Sequence, residues 1–220
     1  MRASSLLFAL LLSAVWNPGP AKAGAVPSPV NSTIPGVITL VGQGGFGYAD
    51  PFGTFSCTIR DLANNPRAGV DVVIDFSSCP GMRVCADQNQ PGVTVECLNG
   101  GTARVHKLTD ALGVVTLAIM GCSDPQRGSA ADRVRIYADG ELLGSAIIAA
   151  FDLEGCNGVG AGDLSRWLDD FGSGLNWNRC DYDGSGSVGV GDLSVWLTMW
   201  GRGRSLVGCS YNQTYPCPYH

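Results

Sequence analysis

The feature that most constrains this chain is a duplicated segment near its C-terminal end. Residues 163–168 read Asp-Leu-Ser-Arg-Trp-Leu, and residues 192–197 read Asp-Leu-Ser-Val-Trp-Leu, 29 positions later. Acidic residues precede each copy at the same distances, eleven and nine positions upstream: Asp152 and Glu154, then Asp181 and Asp183. An internal repeat at a fixed spacing indicates a duplicated supersecondary unit. We therefore expect two twelve-residue acidic loops, each followed by a short helix.

The second loop has the ligand spacing of an EF-hand calcium loop. Calcium takes six to eight oxygen ligands, which such a loop supplies from positions 1, 3, 5, 7, 9 and 12, with glycine at position 6 for a sharp turn. Gly186 stands at position 6, and Gly189 at position 9 leaves that ligand to a bridging water. The candidate ligands at positions 1, 3, 5, 7 and 12 are Asp181, Asp183, Ser185, the carbonyl of Ser187, and Asp192.

The first loop offers fewer oxygen ligands at the same positions. Its candidates at positions 1, 3, 7 and 12 are Asp152, Glu154, Gly158 and Asp163. Position 5 is Cys156, and sulfur is a poor ligand for a hard cation. We therefore expect calcium to bind more tightly to the second loop. A plainer interpretation is that both loops are solvated acidic turns in which Asp163 and Asp192 cap the helices.

Each loop leads into a segment with one apolar stripe. Apolar residues recur at i, i+3, i+4 and i+7, the pattern of an amphipathic helix, and Gly172 or Gly201 then ends the segment. Because a unit of about 50 residues buries little apolar surface by itself, we expect the two stripes to pack on each other as an antiparallel pair. Their members are Leu164, Trp167, Leu168 and Phe171, followed by Leu193, Trp196, Leu197 and Trp200.

Residues 151–201 resemble a type I dockerin. The resemblance rests on the two loop–helix units, on an apolar residue at loop position 8 (Val159 and Val188), and on aspartate at position 12. It implies a small all-α pair of EF-hand-like units, calcium-dependent folding, and docking onto a cohesin-like protein module. Positions 10 and 11, which help to choose the partner in that family, carry Ala-Gly and Val-Gly here instead of the common Ser-Thr pair.

The N-terminal residues 1–23 have the pattern of a secretory signal peptide. Arg2 precedes an apolar run over residues 6–15, and Ala21-Lys22-Ala23 forms a small-x-small cleavage site. The apolar run is too short to span a membrane. Cleavage would remove two basic residues and no acidic one, moving the formal net charge from −5 to −7. We expect a secreted or cell-surface protein, and an acidic chain without basic clusters argues against nucleic acid and anionic membranes as partners.

Residues 35–150, after a linker at 24–34, contain seven short runs bounded by Gly, Pro, Asn or Asp. The runs cover residues 36–41, 53–60, 70–76, 102–108, 113–119, 133–138 and 145–150. Such a series of short strands is typical of a β-sandwich. Segments 55–70, 109–114 and 135–140 resemble the bacterial immunoglobulin-like domains of invasins and intimins, which implies a spacer or adhesive module without catalysis. We expect the insert at 78–101, with three cysteines, to be a stapled surface loop.

Nine cysteines in an exported chain indicate disulfides with one thiol left over. Cys57 lies on the apolar side of a strand pattern and is the expected free thiol. Proximity along the chain suggests four pairs, one of which closes a hairpin in the C-terminal tail at 202–220. The suggested pairs are Cys209–Cys217, Cys156–Cys180, Cys79–Cys85 and Cys97–Cys122.

The chain carries no recognisable catalytic motif. It lacks Gly-x-Ser-x-Gly, His-Glu-x-x-His and a phosphate loop.

Together, the strand runs and the loop–helix repeat predict an all-β immunoglobulin-like sandwich followed by a small all-α dockerin-like pair. The predicted function is that of a secreted, noncatalytic, calcium-binding protein that docks through its tail. One alternative is a carbohydrate or cell-surface adhesin with a purely structural calcium tail. Another is an accessory to polysaccharide degradation, or a cryptic hydrolase.

Overall fold

A computed structural model describes residues 26–43, 49–125, 132–174 and 178–202, together with Cys209 and Cys217. The predicted signal peptide and most of the C-terminal tail lie outside these residues. The β-strands are β1 (Val37–Leu40), β2 (Phe55–Thr58), β3 (Asp71–Asp75), β4 (Met82–Val84), β5 (Val93–Cys97), β6 (Ala103–Leu108), β7 (Val114–Leu117), β8 (Gly121–Ser123), β9 (Arg133–Ala138) and β10 (Glu141–Ala150). The helices are α1 (Ala161–Ser173) and α2 (Val190–Gly201).

Six of the strands form one curled sheet in the order β1-β10-β9-β3-β6-β5. β1 runs parallel to β10, and the other neighbours pair in antiparallel fashion. Two further pairs, β2 with β7 and β4 with β8, form separate two-stranded sheets. β4 and β5 lie within residues 78–101, so the insert that we predicted to be a surface loop supplies two strands.

The first hydrophobic cluster lies between the six-stranded sheet and the β2–β7 pair. Alternate residues along each strand face it, as the period of two in a half-buried strand requires. Its fully buried members include Val72 and Ile74 of β3, Ile136 of β9 and Leu117 of β7. This packing agrees in part with the predicted sandwich, because two β layers enclose an apolar core.

The second hydrophobic cluster joins the end of the sheet to both helices. Met120 and Phe151, which flank β8 and β10, pack in the same cluster as Trp167 of α1 and Trp196 of α2. Phe151 stacks on Tyr182 with ring centroids 4.8 Å apart. The indole N–H of Trp196 donates to the carbonyl of Phe151 at 3.1 Å. The helical region therefore packs directly against the sheet.

These contacts correct the predicted fold class. The described residues are mostly β, and their two helices do not form a self-contained all-α dockerin-like pair. Each helix instead turns its central tryptophan into the cluster at the end of the sheet, while Leu168 and Leu197 remain about half exposed. The physical reason is the small size of the helical region. Its two helices bury too little apolar surface against each other, so they also pack against apolar residues at the end of the sheet.

The predicted boundary between residues 150 and 151 lies inside the second cluster. The carbonyl of Ala150 accepts the phenol of Tyr182 at 2.9 Å, and the N–H of Phe151 donates to the carbonyl of Leu40. The two sides of the boundary thus share buried surface. Independent folding of residues 35–150 stays a prediction.

Three disulfides replace the four suggested pairs. Cys57 is buried and outside any disulfide, as expected, but so are Cys79 and Cys180. Burial raises the pKa of the Cys57 thiol to about 12, so it remains protonated at neutral pH. The tail hairpin is wrong because Cys209 and Cys217 bond to the β4–β5 region, far away in sequence. The observed pairs are Cys85–Cys209, Cys97–Cys217 and Cys122–Cys156.

No helix in the described part of the chain combines the length and apolar character that crossing a membrane requires.

The second cluster predicts a large loss of stability on truncation of Phe151. Phe151→Ala should lower the free energy of unfolding by about 3–5 kcal/mol, because it removes a buried ring and leaves a cavity. Leu168→Ala is the control, and it should cost less than about 1 kcal/mol because Leu168 is half exposed. Urea denaturation measures both. Equal losses from the two variants would contradict a central role for Phe151.

Candidate metal centre

Both acidic loops lie next to the end of the six-stranded sheet. Loop one (152–163) begins two residues after β10 ends, and the N–H of Ser123 in β8 donates to the carbonyl of Asp152 at 2.8 Å. Loop two (181–192) follows a short 3-10 turn at Asn178–Cys180. Each loop ends in the first turn of its helix, where an aspartate is the third helical residue. The duplication in sequence is therefore a duplication of local structure.

Loop two brings three carboxylates together. One oxygen each of Asp181, Asp183 and Asp192 lies within 4.8 Å of the others. In the described part of the chain this is the one cluster of three or more His, Cys, Asp or Glu side chains that could hold a metal ion. Asp181 and Asp192 are buried, while Asp183 is exposed. A set of oxygen donors of this kind suits a hard cation such as calcium.

Backbone amides orient the carboxylates of loop two. Asp192 accepts the N–H groups of Tyr182 (2.7 Å) and Gly189 (2.8 Å). Asp181 accepts those of Ser185 (3.0 Å) and Gly186 (2.9 Å). Gly186 has φ +82°, a left-handed conformation that favours glycine, so the turn predicted at position 6 is present. The loop is thus shaped around its acidic side chains.

The two serines predicted as ligands lie on the exposed side of loop two. The hydroxyl of Ser185 donates to the carbonyl of Ser187 at 3.1 Å. The two oxygens predicted to bind the metal, the Ser185 hydroxyl and the Ser187 carbonyl, are therefore hydrogen-bonded to each other. The side chain of Ser185 also hydrogen-bonds to Asp183 and so lies beside the acidic cluster, whereas a ligand role for the Ser187 carbonyl stays a prediction.

Loop one has the same pattern of backbone hydrogen bonds to its carboxylates as loop two. Asp163 accepts the N–H groups of Glu154 (3.1 Å) and Gly160 (2.7 Å), as Asp192 does in loop two. Asp152 accepts the N–H of Gly158 at 2.6 Å. Glu154 accepts the side-chain amide of Asn157 at 3.0 Å, and its carboxylate does not complete a cluster with Asp152 and Asp163. Loop one therefore positions Asp152 and Asp163 but does not bring a third carboxylate to them.

Asp152 is a buried carboxylate whose surroundings disfavour its charged form. It is 2 % exposed, and its Oδ1 has no hydrogen-bond partner among the described residues. Burial, followed by repulsion from Asp163, raises its pKa to about 7. A buried polar atom without a partner costs free energy that a bound cation would remove. Loop one thus fits a cation through Asp152 even without the full cluster.

Burial is the main cause of the other raised pKa values. It raises the pKa of Asp163 and of Asp181, and the nearby charge of Asp192 adds to the effect at Asp181. Asp183 behaves in the opposite way, because hydrogen bonds from Ser185 lower its pKa. The buried carboxylates are those for which a cation would relieve the largest electrostatic cost.

Glycine at position 11 of each loop has a steric reason that the sequence did not reveal. A Cβ at Gly162 would collide with the carboxylate of Glu154, and one at Gly191 would lie 3.2 Å from Asp183 Oδ2. The acid at position 3 therefore rests against the first turn of the following helix.

Sequence reasoning also missed the groups that support the loops. Asp170, near the end of α1, forms a buried bidentate ion pair with Arg179 at 2.7 Å. Arg179 immediately precedes Cys180 and loop two, so the pair ties α1 to the start of that loop. Cys156, the residue predicted to weaken loop one, bonds to Cys122 of β8 and fixes loop one to the sheet.

No protein-family model matches this chain, and neither comparison with curated proteins nor comparison with solved structures gives a match. The resemblances to dockerins and to invasin-like domains therefore stay predictions. The chemistry of the two loops has to be inferred from their own residues.

The raised pKa of Asp152 predicts an unusual pH dependence in the absence of metal. Its folded-state pKa is about 7, above the value of about 4 in an unfolded chain, so its contribution to stability is full below pH 4 and is lost as pH rises through 7. In EDTA, the free energy of unfolding should fall by a few kcal/mol between pH 4.5 and 7.5, on the order of the 1.4 kcal/mol per pKa unit that linkage gives.

Asp152→Asn should make this fall smaller, because the amide does not ionise, while Asp163 and Asp181 still contribute in the same direction. The measurement is urea denaturation at several pH values in EDTA, and Asp169→Asn on the exposed face of α1 is the matched control. A fall of the same size in the Asp152→Asn protein would show that another group causes it.

Proposed function

We propose that this chain is a noncatalytic, exported protein that binds calcium at two loops fixed to the end of a β-sheet. The observation that carries the proposal is the cluster of Asp181, Asp183 and Asp192. Two buried aspartates and a third carboxylate this close repel one another, and a divalent cation would turn that repulsion into attraction. The Oδ1 of Asp152, which has no hydrogen-bond partner in the part of the chain that the structure describes, supports a second site in loop one.

Calcium in these loops would stabilise the packing of the helices on the sheet. Tyr182 lies between Asp181 and Asp183, and it both stacks on Phe151 and donates to Ala150. Leu153 lies next to Asp152 and is fully buried in the second cluster. Each loop therefore alternates metal-facing acids with core-facing apolar residues, so that ordering the acids also orders the cluster.

The disulfides support export. Three are present, and disulfides persist in oxidising compartments outside the cytosol. A secreted or cell-surface location agrees with these covalent cross-links. Extracellular calcium concentrations would also keep sites of modest affinity occupied.

A surface on the helices supports docking of a protein module of the cohesin type. Leu168 and Leu197 occupy equivalent positions of the repeat, as do Phe171 and Trp200, and all four are 38–50 % exposed. The repeat therefore presents an exposed leucine and an exposed aromatic residue at equivalent positions of both helices. Binding of a cohesin module in calcium, measured for the native chain and for Leu197→Ser, would test this step; unchanged affinity would exclude the surface.

Calorimetric titration tests the calcium proposal directly. Calcium added to the oxidised, decalcified chain of residues 24–220 should bind at two sites. Asp181→Asn should abolish the tighter site and Asp152→Asn the weaker one, because each removes a buried charge from position 1 of its loop. Asp169→Asn is the matched control and should leave both sites intact.

Two results would contradict the proposal. One is the absence of calcium binding at millimolar concentration. The other is an equal loss of affinity in the Asp169→Asn control, which would show that binding reflects the overall acidity of the chain and not the loops.

A further inference from the structure

The outer face of the six-stranded sheet carries an ordered set of polar side chains that the calcium loops do not use. Residues that alternate with the buried positions of β3, β5, β6 and β9 point away from the first cluster. They line an open cavity of about 380 Å³. Its lining residues are Val73, Asp75, Glu96, Arg104, His106, Tyr137 and Gly140.

Strand register places these side chains in two rows across the sheet. One row is a ladder of alternating charge, because Glu96 pairs with Arg104, Arg104 with Asp75, and Asp75 with Arg135. The neighbouring row is less polar and runs from Thr94 through His106 and Val73 to Tyr137. The face therefore combines hydrogen-bonding groups along one line with an apolar and aromatic strip beside it.

Ion pairs hold the polar groups of the face in place. Arg104 donates to Asp75 at 3.1 Å and to Glu96 at 3.3 Å, so it bridges two strands. The Nδ1 of His106 lies 2.9 Å from Asp71. Arg104, His106 and Glu96 remain 27–53 % exposed in their side chains, so they can still reach a ligand. A ligand would meet groups that are already oriented, which lowers the entropic cost of binding.

The balance of charge decides which class of ligand fits. Acidic and basic groups alternate on this face, and the chain as a whole is acidic, so the face offers no concentrated positive charge to a polyanion. Sugar hydroxyls both donate and accept hydrogen bonds, which matches adjoining carboxylate and guanidinium groups. The apolar C–H face of a sugar ring matches Tyr137 and Val73.

We propose that this sheet face binds a neutral saccharide, with Glu96 and Arg104 hydrogen-bonding to its hydroxyls and Tyr137 packing on its ring. The site is separate from the calcium loops and does not depend on the function proposed for them. The chain would then have two binding surfaces, one for a protein module on the helices and one for a saccharide on the sheet.

Titration with neutral oligosaccharides tests this site. The probes are soluble fragments of β-glucan, xylan and mannan, with polygalacturonate as the polyanion, each titrated by NMR or calorimetry into the oxidised full chain. At least one neutral probe should bind, and Tyr137→Ala and Glu96→Gln should each weaken it at least tenfold. Asp87→Asn, an acid-to-amide change in the exposed segment between β4 and β5, should leave the affinity unchanged.

The remaining outcomes overturn the proposal. They are no binding of any neutral probe at millimolar concentration, preference for polygalacturonate, or equal binding by Tyr137→Ala and the native chain when both melt at the same temperature. Release of shorter sugars that Glu96→Gln abolishes would instead assign a hydrolase. Calcium titration of the same samples reports separately on the loops, so failure of one proposal is distinguishable from failure of the other.

Discussion

The contact between Phe151 and the residues around it is the interaction on which the rest of the structure depends. Phe151 follows the longest strand and precedes the first acid of loop one. Its ring stacks on Tyr182 inside loop two, and its carbonyl accepts the indole of Trp196 in α2. One residue thus joins the sheet, both loops and a helix. Hydrogen bonds and aromatic packing at this point hold both acidic loops against the end of the sheet.

The two loops are held to the sheet by different forces. Loop one has a covalent constraint, since Cys156 within it bonds to Cys122 of β8. Loop two relies on noncovalent contacts, namely the packing of Tyr182 and the buried pair of Arg179 with Asp170. Buried carboxylates work against both arrangements, because burial disfavours their charged form. A cation bound as we propose would offset this electrostatic cost, and metal binding would then add to the stability of the fold.

The sequence predicted the local features of this protein better than its long-range contacts. The spacing of acids and glycines located both loops, and the aspartates at position 12 lie where the repeat placed them. Spacing along the chain does not reveal which distant surfaces meet. The helices were therefore expected to pack on each other, and Cys209 was expected to pair with Cys217, whereas both cysteines reach back to the β4–β5 region. The ladder of charge across the outer face likewise depends on strand register, which alternation alone does not determine.

The most direct test of this account asks whether calcium acts on the whole fold or on the helical region alone. Every tryptophan after Trp16 lies between residues 167 and 200, so fluorescence reports on the helical region, whereas the backbone-amide NMR signals of β3, β6 and β9 report on the sheet. Denaturation of the oxidised chain 24–220 should give coincident curves by both signals in calcium, and both midpoints should move to lower denaturant in EDTA. Two separate transitions, with calcium shifting only the fluorescence or neither signal, would contradict the account.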